Sequence, residues 1–117
     1  EAFVAGAKAG LDADMMVAVL NAGSGRNSAT MDKIPNAVLP RTFDFGFPIA
    51  GALKDIGLAI DECQAMGLPM LVGSAARQLW QFAYAQGGGK RDMTALITYI
   101  EPWAGVQVKG KAARKKR

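Results

Sequence analysis

Between Pro48 and Gly67 the apolar residues Ile49, Leu53, Ile56, Ile60 and Cys63 recur three or four positions apart, which is the spacing of one face of an α-helix. Pro48 stands in the first turn, where its missing N–H costs nothing, and Gly67 stands where a helix needs a left-handed residue to stop. This stretch commits the chain to a long helix, and the same period recurs through most of the rest. Residues 1–9 read as the end of a helix closed by Gly10. Asp12 is placed to cap a second helix carrying Met15, Met16, Val19 and Leu20. Ser28 is the expected cap of a third, shorter helix through Met31 and Ile34, disturbed by Pro35. Pro69 opens a helix to about Gln86 with Leu71, Ala75, Leu79, Phe82 and Ala83 on one face, and Asp92 caps a last one reaching Ile100. No segment alternates with β-branched enrichment, so no sheet is expected. The fold class predicted is all-α, a compact bundle of five to six helices.

The 117 residues suffice for one domain with a core, and half of them are hydrophobic. The chain opens on Glu1 inside a helical pattern with no cap before it, so the expectation is either a natural chain that continues upstream or a processed piece. Six of the fourteen Lys and Arg fall in the last eleven residues, QVKGKAARKKR, leaving residues 1–106 with eight basic and ten acidic side chains. The expected organisation is a helical domain over 1–106 and a basic, flexible tail over 107–117, whose removal after Gln107 should leave folding intact. The tail has no interleaved aromatic residues on which bases could stack, which argues against nucleic acid. With one cysteine, Cys63, and no histidine, an internal disulfide, an ordinary zinc site and Ser-His-Asp chemistry are excluded within the chain. No apolar run approaches the roughly 20 residues of a membrane span. No signal peptide is visible, so the cytoplasm is the expected compartment.

Two glycine-rich segments invite functional readings. GGGK, residues 87–90, follows a helix rather than a strand, so it lacks the context of a dinucleotide fingerprint and reads as a helix break. NAGSGRNS, residues 21–28, lacks the Lys-Ser or Lys-Thr of a phosphate loop. It does concentrate Asn21, Ser24, Arg26, Asn27 and Ser28, a cluster that either ends a helix or holds a carboxylate or phosphate. The pair Lys54-Asp55 raises a similar choice. Adjacent helical residues do not face each other, so no ion pair is expected between them. Helical spacing instead sets Lys54 on the side of Phe47, flanked by the small residues Ala50 and Gly51. Either this is a solvated face or it is a surface that something else approaches.

The ordered set GAKAGLD, VLNAGSGRNS, FGF and ALKDIGLAIDECQAMGLPM resembles the C-terminal helical domain of the β-hydroxyacid dehydrogenases. That family includes 3-hydroxyisobutyrate dehydrogenase and tartronate semialdehyde reductase, with 6-phosphogluconate dehydrogenase a more distant member. Its most specific part is F-x(6)-K-D-x-x-L-A, here Phe47, Lys54, Asp55, Leu58 and Ala59. The resemblance implies a two-domain enzyme moving a hydride between NAD or NADP and a 3-hydroxy acid, with a Rossmann domain upstream and a homodimeric or homotetrameric assembly. It implies that Lys54 reaches the cofactor near its nicotinamide, that Phe47 packs in the same region, that Asp55 partners the lysine, and that Ser24 and Gly25 lie on a loop near the substrate. The acid/base lysine of such enzymes belongs to a G-x-x-x-K-x-x-N motif that residues 1–117 do not contain. Lys8, in AGAKAG, has no Asn three or four residues later and is not that lysine. No catalytic residue and no metal ligand is therefore assigned here, and the fragment alone is expected to be inactive. A rival from another class is a free-standing helical interaction module whose basic tail recruits an anionic partner.

Overall fold

Turn residues set the helix ends as the sequence suggests. Gly10 takes φ +85° and Gly67 φ +87°, the left-handed geometry that lets a chain leave a helix at little cost. Asp12 Oδ1 accepts from the Met15 amide at 3.1 Å and starts the next helix. The computed structural model describes residues 1–114. Their order is α1 (Ala2–Lys8), α2 (Ala13–Ala22), a π-helix (Ala29–Val38), α3 (Ile49–Ala65), α4 (Leu71–Ala85), 3-10 turns at Gly88–Lys90 and Met93–Tyr99, α5 (Glu101–Ala104) and α6 (Lys111–Arg114). There is no strand among the described residues, and the molecule is all-α. None of these helices is long and apolar enough to cross a membrane.

Three local expectations change. Ser28 is already helical and makes no cap bond; Asn27 caps instead, its Oδ1 accepting from the amides of Ala29 at 2.8 Å and Thr30 at 3.2 Å. Pro35 does not end the third helix. In an α-turn its ring would crowd the carbonyl four residues back. The chain widens, the Leu39 amide donates to Ile34 five residues earlier at 2.9 Å, and the helix continues to Val38. After Asp92 the coil is the tighter 3-10 form, and Pro102 then sits in the first turn of the separate helix α5.

The core gathers where α1, α2, the π-helix and the C-terminal segments meet: Phe3, Val4, Ala13, Val38, Leu39, Ile100 and Val108. The predicted stripe of α3 is followed in part, with Ile49 and Ile60 buried and Leu53, Ile56 and Cys63 half-buried. Helices α3 and α4 form a hairpin, joined in its outer half by Arg77 Nη1 on Asp61 Oδ1 at 2.8 Å and by Gln64 on Ser74. The hairpin reaches past the core, and the molecule measures 48 × 33 × 25 Å. Leu71 and Val72 at its outer end are 78% and 85% exposed, and of the predicted apolar face of α4 only Ala83 is buried and Leu79 half-buried, while Leu71, Ala75 and Phe82 are exposed. The first half has only α3 to cover it.

The basic tail is the largest correction. Val108 is fully buried. Its N–H donates to Glu101 Oε1 at 2.9 Å, and its carbonyl accepts from Arg41 Nη1 at 3.1 Å. Glu101, only 4% exposed, forms a two-pronged ion pair with Arg41. The Gly110 amide donates to the Leu39 carbonyl, and the Lys111 amide to Asp14 Oδ2. The chain from 107 to 111 is thus strapped over the core; residues 115–117 of the expected tail lie outside the described residues. Cutting after Gln107 removes a buried valine and strands polar groups of Glu101 and Arg41. The truncated chain should lose on the order of 2–4 kcal/mol of stability, seen as a lower urea midpoint; an unchanged midpoint would contradict the burial of Val108.

Candidate functional site

The residues singled out in FGFPIAGALKD come together through one bare helix position. Phe47 precedes α3, but its ring folds back over Gly51, where an added Cβ would lie 2.8 Å from Phe47 Cζ. Lys54 and Asp55 stand one helical turn further on. Phe47, Gly51 and Lys54 therefore share a surface, as the sequence suggested. The expectation that Lys54 and Asp55 do not pair is wrong: Lys54 Nζ lies 3.0 Å from Asp55 Oδ1. The rule for adjacent residues concerns where side chains start, and a four-carbon stem can bend round to its neighbour. Both side chains remain largely exposed, 69% and 59%, so the pair adds little to stability.

Beside this surface runs an open cleft of about 530 Å³, lined by Ala50, Tyr84, Gly87, Gly89 and Lys90. The GGGK segment is more than a helix break here. Close approach needs the glycines: a Cβ on Gly88 would strike the Tyr99 hydroxyl and the Ala83 carbonyl, and one on Gly89 the Tyr84 ring. One cleft thus presents a phenol, an ammonium and glycine backbone next to the Ala50 side of α3.

The polar loop is largely committed to its own architecture. Asn27 Nδ2 donates to the Gly25 carbonyl at 2.9 Å, and Asn21 Nδ2 to the Thr30 carbonyl at 2.9 Å. Ser24 and Gly25 are exposed. The connection from this loop to the FGF segment is a residue the sequence reading missed, Lys33. Its Nζ lies 3.3 Å from Ser28 Oγ and 4.7 Å from the centre of the Phe45 ring, a cation–π distance. Nothing in the local pattern marks Lys33, because its partners lie on either side of the π-helix.

Asp92 is the second residue missed, having been read only as a cap. Oδ1 accepts from the Thr94 amide at 2.9 Å and from the Thr94 hydroxyl, while Oδ2 accepts from the Gly46 amide at 2.6 Å. Burial pushes its pKa up, but the bonds from Thr94, Gly46 and the nearby Phe47 amide outweigh this and hold the carboxyl below its ordinary value of 3.8.

The sequence profile described as the NAD-binding domain of NADP-dependent 3-hydroxyisobutyrate dehydrogenase matches residues 1–100. The chain belongs to this family. Among its relatives, 2-(hydroxymethyl)glutarate dehydrogenase of Eubacterium barkeri is 33% identical over 110 residues, covering 94% of this chain and 36% of the relative. The mitochondrial 3-hydroxyisobutyrate dehydrogenase of Rattus norvegicus is 31% identical over 106 residues, 86% of this chain and 32% of its own length. The probable 3-hydroxyisobutyrate dehydrogenase-like 1 of Arabidopsis thaliana is 34% identical over 101 residues, 86% and 30% respectively. The chain therefore spans about a third of the length of the relatives it matches.

The Phe47 ring fills the space over Gly51, and the exposed Lys54 ammonium stands on the same side of α3. Gly51→Ala should separate binding from folding. The new Cβ forces the Phe47 ring aside, yet the helix gains up to about 1 kcal/mol of propensity. Ring resonances of Phe47 should move while the melting temperature holds or rises; unmoved resonances would mean the ring does not rest on Gly51. The Asp92 bonds also set an acid limit. Because the folded pKa is depressed, their contribution is whole above the unfolded value of about 3.9 and is lost as pH falls through the lower folded one. Urea midpoints of wild type and Asp92→Asn should accordingly differ most near neutrality and converge in strong acid.

Proposed function

We propose that this chain is the helical domain of an NAD(P)-dependent β-hydroxyacid dehydrogenase, and that α3 presents Lys54 and Phe47 to the nicotinamide end of the cofactor. The family match over residues 1–100 carries the reading, and the clustering of Phe47, Gly51 and Lys54 supports the choice of residues. A bound NAD or NADP would supply the hydride-transfer chemistry. Lys54 donates hydrogen bonds to polar atoms at that end of the cofactor. Asp55 keeps the ammonium oriented and charge-balanced as water leaves. Phe47 forms an apolar side of the cleft and excludes water from it. Ser24 and Gly25 belong to the loop nearer the substrate, a hydroxy acid of the 3-hydroxyisobutyrate kind.

The remaining parts come from the rest of the protein: a Rossmann domain for the dinucleotide and a lysine in G-x-x-x-K-x-x-N for the proton. This chain alone is accordingly proposed to be inactive, and the cytoplasm is its proposed compartment. The exposed Leu58, Met66, Leu68, Leu71 and Val72 of the hairpin support assembly into a dimer or tetramer, since so much apolar surface is seldom left in water. In the complete dehydrogenase, Lys54→Ala should raise the cofactor KM about tenfold, the loss of one charged hydrogen bond of roughly 1.4 kcal/mol. Steady-state kinetics with 3-hydroxyisobutyrate as probe measures this, and an unchanged cofactor KM would remove Lys54 from the site.

A further inference from the structure

The segment over residues 87–92 touches both walls of the cleft. Gly87, Gly89 and Lys90 line one side of it, and Arg91 and Asp92 grip the chain that leads into the other. The Arg91 carbonyl accepts from the Ile49 amide at 2.9 Å, and the Met93 amide donates to the Phe47 carbonyl at 2.7 Å, so Pro48 and Asp92 form an isolated antiparallel bridge. These backbone bonds begin at Phe47 and leave Gly46 to Asp92 Oδ2. Gly46 has φ +106°, where glycine has the widest freedom and an outside restraint has the most to fix. Capping the 3-10 turn needs only Oδ1; the second oxygen reaches back 46 positions in sequence to the turn that carries Phe47.

We infer that Asp92 is a positioning residue for the cofactor-facing surface: its carboxylate locks the Gly46 turn against residues 91–93 and thereby fixes Phe47 and the first turn of α3, without itself reaching the cofactor. The inference rests on the proposed role of Phe47 and Lys54. Phe47 is held at two points, its backbone by this lock and its ring by Gly51. Releasing the backbone lets the ring slide off the bare helix position and blurs the wall next to Lys54.

Asp92→Asn isolates the lock from the cap. The amide oxygen still accepts from Thr94, since Asn is a good capping residue. The amide NH2 then faces the Gly46 N–H, donor against donor. In the 117-residue chain, helicity should be kept, while hydrogen exchange at the Gly46 amide quickens at least about tenfold and Phe47 ring resonances shift. In the complete dehydrogenase the cofactor KM should rise roughly three- to tenfold with kcat nearly unchanged. Unchanged Gly46 exchange would overturn the inference, as would an unchanged cofactor KM when Lys54→Ala raises it. Loss of helicity in Asp92→Asn would make Asp92 a fold determinant and overturn it too. If Lys54→Ala also leaves the cofactor KM unaltered, the cofactor reading itself fails and the functional half of the inference falls with it.

Discussion

The ion pair between half-buried Arg41 and buried Glu101 holds together parts of the chain that are 60 residues apart in sequence. Glu101, buried where Arg41 is only half-buried, could not keep its charge there without the guanidinium, because an unpaired buried charge costs several kcal/mol. The pair also fixes the segment after α5. Val108 donates to the carboxylate through its N–H and accepts from the guanidinium through its carbonyl, so its side chain is placed in the core by its own backbone. Arg41 itself sits at φ +64° and lies 4.7 Å from the Phe43 ring. One ion pair thus ties the turn after the π-helix to the start of α5 and to the last segment.

From that anchor the chain runs to α3 through a short connection with left-handed residues at Arg41, Phe43 and Gly46. Such a connection has little regular hydrogen bonding of its own, so the direction of α3 depends on what grips its start. That grip is the bridge between Pro48 and Asp92. The hairpin of α3 and α4 is consequently held at its base and by its own internal packing, while its outer end stands clear of the core. This explains why apolar residues as exposed as Leu71 and Val72 occur in a chain whose core end is well filled.

Much of the fold was legible because it depends on local chemistry. Gly10, Asp12, Pro48, Gly67 and Asp92 act at helix ends through their own φ preferences or side-chain acceptors, and each stands where the pattern put it. The errors arose where a distant partner decides the outcome. Pro35 looks like a breaker until the π-helix gives it room, and Asn27 rather than Ser28 caps because its Oδ1 reaches the Ala29 and Thr30 amides while Ser28 is already helical. Val108 reads as part of a basic tail, since only Arg41 and Glu101 reveal that it is core. The same limit applies to the site: helical spacing set Phe47 beside Lys54, yet Phe47 precedes α3 and reaches that side by resting its ring on Gly51, whereas Lys33 and Asp92 act across elements and left no periodic signal.

The pair Lys54-Asp55 is poorly explained by folding alone. It is exposed, it adds little to stability, and it stands on a helix face otherwise kept small by Ala50 and Gly51. Its electrostatics change if another body covers that face. At an effective dielectric nearer 20 than 80, the attraction between charges about 4 Å apart rises from about 1 to about 4 kcal/mol. Asp55 then offsets the cost of drying Lys54, and Lys54 can keep its charge in a cleft that Phe47 helps to close. A pair that is nearly idle in the open domain becomes useful in a covered one, which is the condition the proposed dehydrogenase would impose.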